Sequence, residues 1–337
     1  MNSIRIGNRR VNDSEKSFII AEAGSNHDLE KKNAYELIDA ATEAKADAIK
    51  FQMFKADTLY SKYIGKDIYD KTKNVELPYD WIPDLISRCK SKKITFLATP
   101  FDIQSVDILN KHNISAFKWA SGEIDNLELL SHASKALKPI ILSTGMSNLT
   151  EIESAIKVIN NEKNNQIALL HCISNYPTKS RDANLRNMET LRHAFNFLVG
   201  FSDHTEGFLV TIAAVSMGAK IIEKHLTLDK NLNSPDHPFS LKPDEFRRMV
   251  EGIREVESSF GDNKKDIIES EIPVSKIARK SLVASQKIPK GTKITRSMMA
   301  YKRPGTGIQF NHLPFILGRC TNRKIEYDEI ISLDMFN

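Results

Sequence analysis

Short apolar runs recur along the first 260 residues, and helical stretches separate them. The runs comprise residues 18–21, 48–49, 95–98, 116–118, 140–142, 168–170, 198–201 and 221–222. Unbroken apolar runs of this kind are typical of strands that are buried on both faces of a parallel sheet. Eight such strands alternating with helices predict an α/β fold, namely a (β/α)₈ barrel of the TIM type.

Segments with helical character lie between these runs. They comprise residues 31–44, 81–90, 103–111, 127–136, 150–159, 208–217 and 244–260. Thr150 and Glu153 have the spacing of a capping box, so we expect one helix to begin at Thr150. The segment 208–217 is apolar almost throughout, which predicts a buried helix.

Every predicted strand ends in polar or ionisable residues. They are Glu22, Lys50 with Gln52, Thr99, Lys118 with Ser121, Ser143, Ser174 with Tyr176, Ser202 with His204, and Glu223 with His225. A single polar residue after a strand does not indicate a site, because the loops that follow strands are exposed to water in any protein. In a barrel, however, the carboxyl ends of all eight strands meet at one face. The pattern therefore favours a polar pocket ringed by the barrel strands.

His204 and His225 follow neighbouring strands of one strand-helix-strand unit. Their imidazoles could meet at the barrel mouth and bind a metal, or each could be an ordinary hydrogen-bonded histidine. Two histidines leave coordination positions open for water and substrate oxygens, whereas structural zinc takes three or four protein ligands. The hypothesis is therefore a divalent ion that acts as a Lewis acid, such as manganese or magnesium.

Lys50 and Lys118 would give the same pocket two cations, which suit a phosphate or a carboxylate together with the neighbouring hydroxyls. Either lysine could instead lie on the surface, or could form a Schiff base if burial lowered its pKa. Glu22 and Asp236 are candidates for proton transfer or for binding a sugar hydroxyl.

The character of the chain changes after residue 260. Residues 261–279 have the charge density of a linker, and residues 280–337 contain short β-like runs and turns, which predict a small β-rich domain. Two segments resemble each other, KIPKGTKI at 287–294 and KIEYDEII at 324–331, as if one hairpin plan were used twice. The expected organisation is a catalytic barrel over 1–260, a linker over 261–279 and a small domain over 280–337.

Composition excludes several classes of protein. The net charge of +5 over 337 residues is spread along the chain, which suits a small anionic substrate but argues against a nucleic-acid partner. The three cysteines contain no CxxC pair and fit a reducing compartment. No signal peptide and no apolar run of about 18 residues is present, so we expect a cytoplasmic protein without a membrane partner.

A series of motifs is familiar. In chain order they are IIAEAGSNH (19–27), IKFQ (49–52), ATPFD (98–102), KWASGEI (118–124), LSTGMS (142–147), HCISNYPT (171–178), GFSDHT (200–205), EKHLTLD (223–229), PDH (235–237) and KRPGTGI (302–308). Over essentially its whole length the chain closely resembles the sialic acid synthase family, the phosphoenolpyruvate-dependent nonulosonate synthases. The C-terminal segment resembles the antifreeze-like (SAF) domain of that family.

The resemblance implies a carbon–carbon bond-forming transferase that condenses phosphoenolpyruvate with N-acetylmannosamine or a related acylated aminohexose. It also implies a domain-swapped homodimer and a divalent metal, with Mn²⁺ expected and Mg²⁺ or Co²⁺ as alternatives. His204 and His225 would bind the metal, and Glu22, Lys50 and Gln52 would be catalytic. Phosphoenolpyruvate would contact Lys50, Thr99, Lys118, Ser121, Ser143, Ser174 and Ser202. The sugar would contact Glu22, Gln52, Tyr176, Asp236 and, from the partner subunit, Arg303.

Three positions depart from the family pattern. Ser174 stands where an asparagine is frequent, Asp28-Leu29 lacks a frequent glycine, and Ser234 replaces another glycine. Alternative functions therefore stay open. They are a legionaminate or pseudaminate synthase with a diacylated deoxyhexose acceptor, a Schiff-base pyruvate aldolase, and a catalytically inactive carbohydrate-binding or structural protein.

Overall fold

The computed structural model describes residues 3–337. The chain divides into two compact units, one that ends at Phe260 and one that comprises Gly261–Asn337. No helix in the described part of the chain combines the length and the apolar character needed to cross a bilayer.

The first unit is a closed barrel of eight parallel strands. An antiparallel hairpin of β1 (Ser3–Ile6) and β2 (Arg9–Asn12) precedes it. The barrel strands are β3 (Phe18–Gly24), β4 (Ala48–Met53), β5 (Thr95–Pro100), β6 (Phe117–Trp119), β7 (Ile140–Ser143), β8 (Ile167–Cys172), β9 (Leu198–Asp203) and β10 (Ile221–His225). Neighbours in sequence are neighbours in the barrel, and β10 closes it by pairing with β3. Each predicted apolar run overlaps one of these strands, so the predicted (β/α)₈ barrel is confirmed.

Helices surround the barrel. They are α1 (Lys31–Glu43), α2 (Ala56–Leu59), α3 (Lys66–Lys73), α4 (Ile82–Lys92), α5 (Ile103–Lys111), α6 (Leu127–Ser134), α7 (Leu149–Asn161), α8 (Asn187–Phe195), α9 (Leu209–Ser216) and α10 (Pro243–Ser258). The sequence pattern did not predict α2, α3 or α8. These helices bury at most two residues each, so they leave little periodic signal.

Two helix predictions were wrong in detail. Helix α7 begins one residue before Thr150, because the side chain of Asn148 accepts hydrogen bonds from the N–H groups of Thr150 and Glu151. Glu151, not Glu153, completes the capping box by accepting from the N–H of Asn148. Helix α9 is not fully buried, since Leu209 is 80% exposed and only one face packs on the barrel.

The barrel interior is apolar at its amino-terminal end. Phe18 and Ile20 share one cluster of fully buried residues with Ile4, Ile6 and Val11 of the β1–β2 hairpin. A second apolar cluster lies between the outer faces of the strands and the helices. The hairpin therefore plugs the amino-terminal end of the barrel, and the polar residues are left to the carboxyl end.

The second unit has its own apolar core, which includes Leu282, Ile316 and Phe336. It contains α11 (Ile272–Ala278), which lies within the expected linker, then β11 (Ser281–Ala284) paired antiparallel with β12 (Met299–Lys302), and α12 (Leu313–Ile316). Ile288 and Ile325 form an antiparallel bridge. These two residues occupy the same position in the two similar segments, so the repeated hairpin plan brings its copies together.

Candidate active site

A cavity lies at the carboxyl ends of the barrel strands and has a volume of about 360 Å³, part of which is open to solvent. It brings together most of the residues that the sequence predicted for the site. Predicted residues that line it are Glu22, Lys50, Gln52, Thr99, Lys118, Ser121, Ser143, Tyr176, Ser202, His204 and His225. Glu223, which was expected at this face but was given no role, also lines it, and Phe101, Ala120 and Cys172 are lining residues that the sequence did not predict.

Strand register explains why these side chains meet. Glu22 of β3 lies directly opposite Lys50 on one side and His225 on the other. Glu223 of β10 lies opposite Ser202 of β9. Successive strand residues point to opposite faces, so Glu223 and His225, two positions apart, share the inner face of β10. Most residues of the barrel mouth are therefore strand residues, whose positions are set by backbone pairing.

Four buried charges form one connected network in the mouth. The Nζ atom of Lys50 lies 3.1 Å from an oxygen of Glu22 and 3.3 Å from an oxygen of Glu223. The Nζ atom of Lys118 lies 3.5 Å from the other oxygen of Glu223. Ser202 donates a hydrogen bond of 2.8 Å to Glu223. Glu223 thus joins both lysines, a role that sequence reasoning missed although the residue stands two positions before His225.

The two carboxylates titrate in opposite directions. Burial opposes the charge on Glu223, but Lys118 and Lys50 outweigh this effect and lower its pKa to about 2. Burial raises the pKa of Glu22 to about 7. Lys50 opposes this rise, but it is shared with Glu223, whose negative charge raises the pKa of Glu22 further. Glu22 is therefore the carboxyl in the mouth whose pKa suits proton transfer near neutral pH.

The two lysines also differ. Burial favours the neutral form of both, but Glu22 and Glu223 outweigh burial at Lys50 and raise its pKa. At Lys118, burial outweighs the attraction of Glu223, Lys50 adds repulsion, and the pKa is lowered. Each ammonium also donates to a hydroxyl, Lys50 to Thr99 at 3.2 Å and Lys118 to Ser143 at 2.7 Å. A lowered pKa is what a Schiff-base lysine requires, so Lys118 is the residue at which that alternative must be tested.

Gly145 opens space for hydroxyl groups beside the lysines. Its N–H donates to the hydroxyl of Ser121 at 3.0 Å. A Cβ atom at this position would lie 2.4 Å from the hydroxyl of Ser174 and 2.9 Å from that of Ser121, closer than real Cβ contacts allow. Ser174 is partly exposed and lies beside Gly145, outside the residues that line the cavity.

The two predicted metal ligands are neighbours, with ring centroids of His204 and His225 5.4 Å apart. Nδ1 of His204 lies 2.9 Å from the carbonyl oxygen of Ile173, so in the neutral ring Nδ1 carries the proton and Nε2 has the lone pair. A backbone carbonyl behind one ring nitrogen is the usual support of a metal-binding histidine. Burial, His204 and Lys50 lower the pKa of His225 well below its usual value, so its ring is neutral.

The donor set fits a metal that keeps open coordination positions. Nδ1 of His225 is buried without a hydrogen-bond partner and lies 3.6 Å from a carboxylate oxygen of Asp236. Within residues 3–337, no three His, Cys, Asp or Glu side chains are grouped so as to hold a metal. The two imidazoles would thus be the protein ligands, and water or substrate oxygens would complete the coordination.

The predicted sugar contacts that belong to the barrel unit lie around this centre. Gln52 donates a hydrogen bond of 2.8 Å to Glu22. The ring of Tyr176 is half exposed, and its centroid lies 4.2 Å from that of His204. Asp236 adjoins His225 but does not line the cavity. Arg303 belongs to the second unit, where it is exposed just after β12.

Comparison with known proteins identifies the family. Residues 37–265 match the NeuB family, and residues 279–337 match the SAF domain. The chain belongs to the NeuB family. The resemblance seen in the sequence is confirmed for both parts of this NeuB-family chain.

Relatives of this NeuB-family chain are nonulosonic acid synthases. It is 42% identical over 331 residues to the N,N'-diacetyllegionaminic acid synthase of Campylobacter jejuni, which covers 94% of this chain and 99% of that protein. It is 34% identical over 340 residues to the pseudaminic acid synthase of the same species, which covers 97% and 98%. The crystal structure of N-acetylneuraminic acid (sialic acid) synthetase from Leptospira borgpetersenii, in complex with citrate, has a TM-score of 0.76 at 35% identity and covers 81% of this chain and 94% of that one.

The raised pKa of Glu22 makes a prediction about stability. A carboxyl whose pKa rises from 4.5 to about 7 on folding stabilises the protein fully below 4.5, and this contribution is lost as the pH rises through 7. Glutamine does not titrate. We therefore expect Glu22→Gln to gain stability relative to the unsubstituted protein as the pH rises from 4.5 to about 7, with no further gain above.

Urea unfolding at half-unit pH intervals would measure this difference. The control is Glu189→Gln, which changes an exposed glutamate in the first turn of α8. Free energies of unfolding that stay parallel for Glu22→Gln and the unsubstituted protein across this range would contradict the raised pKa.

Proposed function

We propose that this chain condenses phosphoenolpyruvate with N-acetylmannosamine or a related acylated aminohexose, forming a nine-carbon 2-keto acid and releasing phosphate. The observation that carries the proposal is the pair of buried lysines, bridged by Glu223, beside two neighbouring imidazoles at the barrel mouth. Membership of a family of nonulosonic acid synthases supports it.

The lysines would bind the anionic groups of phosphoenolpyruvate. Glu22 and Glu223 balance the charges of Lys50 and Lys118, so a bound phosphate or carboxylate would share the two lysines with these carboxylates. Thr99 and Ser143 already contact the ammonium groups and would supply further hydrogen bonds. Additional negative charge would favour the protonated form of Glu22, the carboxyl whose pKa is already raised.

The bond changes balance without an external oxidant or reductant. C3 of phosphoenolpyruvate attacks the aldehyde carbon of the open-chain sugar, and the aldehyde oxygen takes up a proton. Water adds to C2 and gives up both of its protons, one to balance the proton taken up by the aldehyde oxygen and one to the departing phosphate, as the C–O bond to phosphate breaks and leaves the 2-keto acid. Glu22 is placed to move one of these protons, and Gln52 holds the Glu22 carboxyl by a hydrogen bond. The buried mouth would hold both substrates in contact and limit competing hydrolysis.

His204 and His225 would hold a divalent metal, with Mn²⁺ expected and Mg²⁺ or Co²⁺ as alternatives. When bound, such an ion supplies Lewis-acid polarisation of a substrate oxygen. Tyr176, whose ring packs against His204, and Asp236, which adjoins His225, would contact the sugar on this side of the mouth.

Phosphate release tests the proposed reaction. We expect release from phosphoenolpyruvate only when an acceptor is present, in a panel that contains N-acetylmannosamine and a diacetamido deoxyhexose. Lys118→Gln should lower kcat/KM by about 100-fold or more, because a buried cation that faces the transferred charge is lost. Lys111→Gln, at an exposed position at the end of α5, is the matched control.

The aldolase alternative has its own signature in the same samples. Treatment with borohydride and pyruvate would attach pyruvate covalently to Lys118 if the chain were a Schiff-base enzyme. Covalent trapping without phosphate release would refute the proposed reaction.

Mn²⁺ binding tests the two-histidine centre. We expect His225→Ala to weaken Mn²⁺ binding by at least about 10-fold, because one of two protein ligands is removed. Electron paramagnetic resonance on chelator-treated protein measures the bound ion directly. His193→Ala, at an exposed position in α8, is the control. Equal Mn²⁺ affinity in a folded His225→Ala variant would count against the centre, as would full turnover in excess chelator.

We also propose that Arg303 acts in the partner subunit of a domain-swapped homodimer. Neither Arg303→Ala nor Lys50→Ala should be active alone. After co-refolding of the two variants, half of the dimers are mixed, and one site of each mixed dimer lacks both changes. We therefore expect about a quarter of the unsubstituted activity. No recovery in mixed dimers confirmed by mass spectrometry would exclude the exchange.

A further inference from the structure

The turn of residues 234–237 is held at both ends by one carboxylate, that of Asp28 in the loop after β3. One oxygen of Asp28 accepts a hydrogen bond of 2.9 Å from the N–H of Ser234. The other oxygen lies 2.8 Å from Nε2 of His237. Asp236 lies between these two fixed points. Neither Asp28 nor His237 lines the cavity.

The far side of His237 is fixed as well. Its ring is fully buried, and Nδ1 lies 2.6 Å from the hydroxyl of Thr227. The hydroxyl of Thr227 also accepts a hydrogen bond from the N–H of Asp229 and donates one to the carbonyl oxygen of the same residue. The imidazole therefore links Asp28 to the segment that follows β10, so a change at Asp28 is transmitted directly to the turn.

The loop after β3 also sets the direction of the Asp236 side chain. The hydroxyl of Ser25 lies 2.6 Å from that of Ser234 and 3.4 Å from a carboxylate oxygen of Asp236. A Cβ atom on Gly24 would lie 2.8 Å from the same oxygen of Asp236, so only glycine leaves room for it. The carboxylate of Asp236 is thus directed toward His225 by residues of another loop.

A further contact ties the two loops together on the other side of Asp236. The side-chain amide of Asn26 donates to the carbonyl of Leu226 at 2.9 Å and to the hydroxyl of Ser240 at 3.0 Å. Ser240 donates in turn to the carbonyl of Asp236. Four consecutive positions after β3 therefore supply three side chains that fix the turn.

Ser234 replaces a glycine that is frequent in the family, and Asp28, which accepts a hydrogen bond from the N–H of Ser234, directly precedes Leu29, where the other frequent glycine is missing. Asp28 has a φ of 48°, a left-handed conformation that aspartate tolerates better than most residues. The two departing positions are therefore connected through Asp28, beside Asp236, which is a predicted sugar contact.

We propose that Asp28 is a positioning residue that determines how the acceptor sugar binds, by clamping the turn that carries Asp236. The inference rests on the proposed function, since it assumes that a sugar binds at Asp236. A carboxylate held in this way accepts hydrogen bonds from hydroxyl or amide N–H groups, and its fixed position decides which sugar substituent can reach it.

Steady-state kinetics with two substrates separate this role from a general structural one. Asp28→Gly removes the carboxylate, and glycine adopts a φ of 48° without strain. Asp28→Asn keeps an oxygen for Ser234 and a polar group for His237. We expect Asp28→Gly to raise the KM for N-acetylmannosamine, or for the diacetamido deoxyhexose if only that sugar reacts, by about 10-fold. The KM for phosphoenolpyruvate should change by less than about twofold, and Asp28→Asn should restore the acceptor KM to within about threefold.

A double substitution tests whether Asp28 acts through Asp236. Asp28→Gly combined with Asp236→Ala should be no worse than Asp236→Ala alone, because the clamp has nothing left to position. Additive effects, or equal increases of both KM values in Asp28→Gly, would overturn the proposal. Glu30→Ala, at an exposed position in the same loop, is the control and should leave both KM values unchanged.

A structural readout distinguishes failure of this inference from failure of the proposed function. Crystal structures of Asp28→Gly and Glu30→Ala should show Asp236 displaced from His225 only in the first variant. An unmoved Asp236 in Asp28→Gly would overturn the clamp whatever the activity. A displaced Asp236 in a protein whose unsubstituted form releases no phosphate would support the clamp and refute the proposed reaction.

Discussion

The ion pair between Lys50 and Glu223 is the interaction on which the mouth of the barrel depends. Charges removed from water are costly unless each has a partner, and a buried charge that loses its partner is strongly destabilising. Lys50 stands between Glu22 and Glu223, and Glu223 stands between Lys50 and Lys118. The charges of Glu22, Lys50, Lys118 and Glu223 therefore neutralise one another only when all four are present. Glu22 pairs with only one lysine, Lys50, which it shares with Glu223. Glu22 is consequently the carboxyl of the network that takes up a proton most readily.

The barrel makes this arrangement possible because it separates two environments along one set of strands. Near the amino end, Phe18 and Ile20 pack with the hairpin residues in a purely apolar cluster. A few positions further along, the same inner faces carry Glu22, Lys50 and Glu223. The closed sheet holds these side chains in register, so the geometry of the mouth is set by backbone pairing. The side around Asp236, in contrast, is completed by contacts between loops.

The amino-acid sequence predicted the parts of the structure that depend on local pattern. Eight apolar runs and the polar residues after them gave the barrel and most of the mouth, because strand period and the geometry of parallel sheets relate the two directly. Glu223 was missed as the centre of the network, since position in a strand does not reveal which charges will pair. The plug was also missed, because Ile4, Ile6 and Val11 lie in strands of only four residues. The contact between Asp28 and Ser234 joins residues 206 positions apart, a distance at which periodicity carries no information.

The closure of the barrel has a consequence for how the protein is made. Strand β3 pairs with β4 on one edge, but its other edge waits for β10, whose first residue, Ile221, lies opposite Phe18. About 200 residues must be translated between the two, which takes roughly 10–40 s at the usual rates of synthesis. During that time the barrel is not closed. The apolar inner face of the first strands and the β1–β2 hairpin therefore lack the remaining strands against which they pack. Until the eighth strand emerges, one edge of β3 therefore has no partner strand.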